Sequence, residues 1–66
     1  MGRDKPKVTV IRTDSQGWVV GSGGFQGSKE SDIVRVVVEN VETGEVKDLG
    51  TMTWGEAKNI IKRGRL

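Results

Sequence analysis

Residues 34–57 read Val34-Arg35-Val36-Val37-Val38-Glu39-Asn40-Val41-Glu42-Thr43-Gly44-Glu45-Val46-Lys47-Asp48-Leu49-Gly50-Thr51-Met52-Thr53-Trp54-Gly55-Glu56-Ala57. With a side-chain period of two, Val34, Val36 and Val38 share one face of a strand, while Ile33, Arg35, Val37 and Glu39 share the other. The all-valine face is the core face. Glu42-Thr43-Gly44-Glu45 turns the chain, with Gly44 supplying the positive φ a tight reversal needs, and Val46-Lys47-Asp48-Leu49 returns beside it. Thr53-Trp54-Gly55-Glu56 then has the Thr-x-x-Glu spacing of a helix capping box.

The spacing predicts a helix over about Trp54–Arg63, with Trp54, Ala57, Ile60 and Ile61 on one face and Lys58, Asn59 and Lys62 elsewhere on the cylinder. Gly64 is its stop signal, and Lys62 and Arg63 sit favourably at the negative end of the helix dipole. Gly55 weakens the first turn but leaves room for close backbone approach to the sheet.

Upstream, Lys7-Val8-Thr9-Val10-Ile11-Arg12-Thr13 is β-branched and alternating, which marks a first strand. Asp14-Ser15-Gln16-Gly17 supplies turn chemistry, and Trp18-Val19-Val20 reads as a short second strand paired back on the first. Residues 21–31 are rich in glycine and serine and are expected to form a flexible loop. The G-x-G-x-x-G spacing is not met, since Gln26 stands where a third glycine belongs, and no helix follows to hold a phosphate. Phe25 is either a plug folded back on the core or an exposed contact. The expected fold is therefore α+β: one small domain over 1–66, a four-stranded antiparallel sheet made of two hairpins, and one C-terminal helix packed on one face, with a flexible basic N-terminus at residues 1–6.

A 66-residue chain has room for one core, and a domain of this size buries only about 60% of the surface its unfolded chain exposes. There are no cysteines or histidines, which removes disulfide staples, thiolate and imidazole metal ligands, and the usual nucleophile and base pairs of hydrolases. The remaining carboxylates and lysines are scattered, so no enzyme activity and no cofactor are expected. The start Met1-Gly2-Arg3-Asp4-Lys5-Pro6-Lys7 has no apolar h-region and no apolar run reaches bilayer length, so the expected location is the cytoplasm, away from membranes. Short chains without staples gain stability by dimerising, and a homodimer is a reasonable expectation.

The net charge is only +2, but it is unevenly spread. Arg3, Lys5, Lys7 and Arg12 face a single Asp4 at the start, and Lys58, Lys62, Arg63 and Arg65 end the chain without an acid. Between them lie Glu30, Asp32, Glu39, Glu42, Glu45 and Asp48 against Arg35 and Lys47. Basic clusters of this kind attract phosphate polyanions or serve as solubilising tails.

Leu49-Gly50-Thr51-Met52-Thr53-Trp54-Gly55-Glu56-Ala57 resembles the strand-to-helix junction of plant-type AP2 domains and of the arm-binding domains of tyrosine integrases, with Met52 in place of the usual Phe and one residue fewer. Those families lay a three-stranded sheet in the DNA major groove. The resemblance implies Arg35 and Lys47 as groove contacts and Trp18 as a base or sugar contact.

Two functions remain open. One is a small DNA-binding protein, regulatory or architectural, of the kind phages and mobile elements encode. Its duplex would be met by Lys58, Lys62, Arg63 and Arg65 at the phosphates and by Arg12, Trp18, Arg35 and Lys47 on a sheet face that one helix cannot cover. The other is a protein-interaction module, such as a phage-encoded inhibitor or accessory factor docking on a host protein. It would use the acidic residues Glu39, Glu42 and Glu45, Phe25, and open sheet edges.

Overall fold

A computed structural model describes residues 7–66, so the basic N-terminus at 1–6 lies outside the described residues. Four strands and a helix follow in chain order: β1 (Lys7–Thr13), β2 (Val19–Gly24), β3 (Ile33–Asn40), β4 (Val46–Thr53) and α1 (Trp54–Arg63). The fold is α+β, a single open sheet with a C-terminal helix. No helix among the described residues is long and apolar enough to cross a membrane.

The expectation of a purely antiparallel sheet is overturned at its centre. The strand order is β2-β1-β3-β4. The β1/β2 and β3/β4 pairs are antiparallel, but β1 and β3 run parallel, from Lys7 opposite Val34 to Thr13 opposite Asn40. The physical reason lies in the side chains. A meander in chain order would place β2, with Gly21, Gly23 and Gly24, inside the sheet, where it could offer the core almost nothing. Passing the chain from β2 over β1 instead makes neighbours of the two β-branched strands and leaves glycine at the edge.

The stretch expected as loop also begins later, because Gly21–Gly24 belong to β2. An edge strand needs only backbone partners, and β1 supplies them from Thr9 opposite Gly24 to Arg12 opposite Gly21. The true connection, residues 25–32, is organised by its own hydrogen bonds. Asp32 Oδ2 accepts from the backbone N–H of Ser28 and of Lys29, both at 3.1 Å. Phe25 N donates to Val8 O at 2.8 Å, and Thr9 Oγ1 donates to Phe25 O at 2.8 Å, which satisfies a hydroxyl that is fully buried. Phe25 packs against the core as a plug.

That core is Ile11, Val34, Val36 and Val38 from the sheet with Trp54 and Ala57 from α1. Each fully buried aliphatic side chain contributes about 1.5–3 kcal/mol. α1 begins at the capping box, with Glu56 N donating to Thr53 Oγ1 at 3.3 Å and Thr53 N to Glu56 Oε1 at 3.2 Å. Two further helix-start donors find carbonyls of the 25–32 connection: Trp54 N to Asp32 O at 2.6 Å and Gly55 N to Glu30 O at 3.0 Å. The close approach at Gly55 is therefore to Glu30 and not to the sheet; a Cβ there would lie 3.2 Å from Glu30 Cβ. Gly64, at φ 78°, ends the helix by donating to Ile60 O and Ile61 O.

Candidate functional site

Cross-strand partners share a face. Because Val34, Val36 and Val38 point at α1, the opposite face of the sheet carries Val8, Val10 and Arg12 from β1, and Arg35, Val37 and Glu39 from β3. Its flanks are Gly21 and Gly23 on β2, and Val46, Asp48 and Thr51 on β4. α1 lies on the other side, so among the described residues nothing covers this face. Val8 is 42% exposed, Ile33 54% and Val46 60%.

The two arginines on this face are already occupied. Arg12 Nε stands 3.5 Å from Glu39 Oε1, and Arg35 Nε stands 3.1 Å from Asp48 Oδ2. Arg12 also lies flat across β2, where a Cβ on Gly23 would come within 2.7 Å of its Nη1. The face thus combines exposed aliphatic side chains with two ion pairs and is electrically balanced. Lys47 does not join it, because its partner is the buried Val38, which puts it on the helix side. Trp18 stands just outside β2 in an antiparallel bridge with Arg65, whose guanidinium carbon lies 5.0 Å from the indole centroid. The eight cations and rings singled out in the sequence therefore divide between two sides of the molecule.

A second group forms along α1. Residues four apart on a helix are neighbours, so Lys58 with Lys62, and Asn59 with Arg63, make two adjacent rows, all four exposed. Lys58 Nζ is 3.5 Å from Glu30 Oε2. Among the described residues no carboxylate lies within ion-pair distance of Lys62, Arg63 or Arg65. Shallow grooves run on both sides of Asn59. The chain beyond α1 folds back along β2, with Val19 N donating to Gly64 O at 2.8 Å and Leu66 N to Gly17 O at 3.2 Å. This brings Arg65 and Trp18 to the same end as Lys62 and Arg63. The sequence placed Asn59 off the apolar face of the helix with Lys58 and Lys62 but assigned it no contact role.

No family model, curated protein or solved structure matches the chain. The segment Leu49–Ala57 spans the second half of β4 and the first turn of α1. Arg35 and Lys47, which the AP2-like reading uses together, lie on opposite faces of the sheet.

Proposed function

We propose that this is a small DNA-binding protein that meets duplex DNA with the outward side and C-terminal end of α1. The observation that supports the reading most directly is the convergence of Lys62, Arg63 and Arg65, none of them ion-paired among the described residues, beside the exposed Trp18 ring. Three unpaired cations at one end of a helix form a phosphate contact surface, and phosphate contacts supply most of the affinity of such proteins. A ten-residue helix is about 15 Å long and narrow enough to enter a major groove about 12 Å wide. Asn59 is the residue type that pairs with adenine through its amide, and it shares a row with Arg63 beside the Lys58 and Lys62 row. Trp18 holds Arg65 through the cation–π contact and fixes the direction of that charge.

Arg12 and Arg35 contribute less to this reading, since a phosphate would have to displace Glu39 or Asp48. The docking alternative, a module for a host protein, loses Phe25 as an anchor, because that ring packs on the core.

The test is fluorescence anisotropy of a labelled duplex across a salt series. Affinity should fall steeply with salt, and Lys62→Ala, Arg63→Ala and Arg65→Ala should each weaken binding and flatten the log–log salt slope by about 1. Arg12→Ala and Arg35→Ala should leave the slope unchanged. Absence of binding at about 50 mM salt would sink the reading.

A further inference from the structure

We infer that a second copy of this chain covers the open face of the sheet, giving a two-fold sandwich with one α1 on each outer side. The first ground is composition: Val8, Val10, Val37 and Val46 stand on this face, and Ile33 at its end is more than half exposed. The second is area. Strands about 4.8 Å apart and about seven residues long at roughly 3.3 Å per residue give a flat footprint of roughly 450 Å² for four strands. Side-chain relief makes the accessible surface larger than this flat footprint, and stable protein interfaces begin at about 600 Å² per copy.

Charge narrows the choice of occupant. Each face holds Arg12 with Glu39 and Arg35 with Asp48, so two identical faces meet without net repulsion, and a polyanion finds no field to follow. Relief is favourable too. Gly21 and Gly23 carry no side chain and Arg12 lies flat over the latter, which keeps the β2 side low. Valines of a second sheet at the usual spacing of about 10 Å can therefore interdigitate.

Edge-to-edge pairing, the other route to a dimer, is interrupted along part of each edge. The β4 ladder shifts register opposite Val36/Val37, and Asp48 Oδ1 takes the Gly50 N–H at 2.7 Å, a bulge that interrupts strand addition. The start of β2 is taken by residues 64–66 of the chain itself. The face therefore offers a second copy a longer uninterrupted surface than either edge.

Sedimentation equilibrium of the full chain, Val8→Glu, Val46→Lys and Asn59→Glu tests this, with far-UV circular dichroism to confirm folding. The expected result is a mass twice 7.2 kDa for the unmodified chain and for Asn59→Glu on the helix side, and the monomer mass for the two sheet-face variants. If Val8→Glu does not fold, Val46→Lys decides, since its site is 60% exposed. A monomeric unmodified chain at its solubility limit overturns the inference, as does a folded sheet-face variant that stays dimeric. DNA binding is read on the other side of the molecule, so either proposal can fail alone.

Discussion

Two glycines meet an added methyl group very differently. At Gly27 a Cβ would lie 2.5 Å from Trp54 Cγ, and that indole is 6% exposed with core on its other sides. At Gly23 the obstacle is Arg12 Nη1 at 2.7 Å, the far end of a long side chain that can swing away. Gly27→Ala is therefore expected to cost about 1–3 kcal/mol and Gly23→Ala no more than about 0.5 kcal/mol, as read from urea denaturation midpoints. Thr53→Ala removes the side-chain half of the capping box, the acceptor for Glu56 N, and leaves the Thr53 N–H to Glu56 bond possible; it should cost about 1 kcal/mol, visible as a Tm lower by about 4–8 °C. Thr53, Glu56 and Gly64 were all legible in the sequence, because a cap is made by residues within one turn. Gly27 was not, since its constraint comes from a ring far along the chain.

Strands and helix are joined less by their own propensities than by the 25–32 connection. Its carbonyls at Glu30 and Asp32 take the first two helix N–H groups, and Asp32 in turn holds the connection through Ser28 and Lys29. Asp32→Ala should thus loosen α1 at a distance: amide exchange at Trp54 and Gly55 accelerates, and stability falls by about 1–2 kcal/mol. Unchanged exchange at those two amides would show the connection to be incidental. The helix bounds and the buried valine row could be read in advance, because both rest on periodicity. The extent of β2 could not, since Gly21–Gly24 carry no apolar pattern and become a strand only through the backbone of β1.

Among the described residues, one sheet with a helix on one side leaves half of the layer uncovered. If a second copy completes it, folding and association are linked, and Tm should rise with protein concentration in scanning calorimetry. Val8→Glu should abolish that dependence. The candidate DNA surface shows the same division between what was legible and what was not. Its cations were all named from the charge runs, but their grouping depended on pairing and parity. Arg12 and Arg35 went to the open face with carboxylates, Lys47 to the other, and Arg65 to Trp18. Local order, including strand alternation, the capping box and the glycine stop, follows from interactions a few residues long, and the chain alone fixes it. Strand order, the parallel centre and the neighbours of each charge depend on contacts between distant segments, where burying β1 and β3 side by side outweighs the simpler path in chain order.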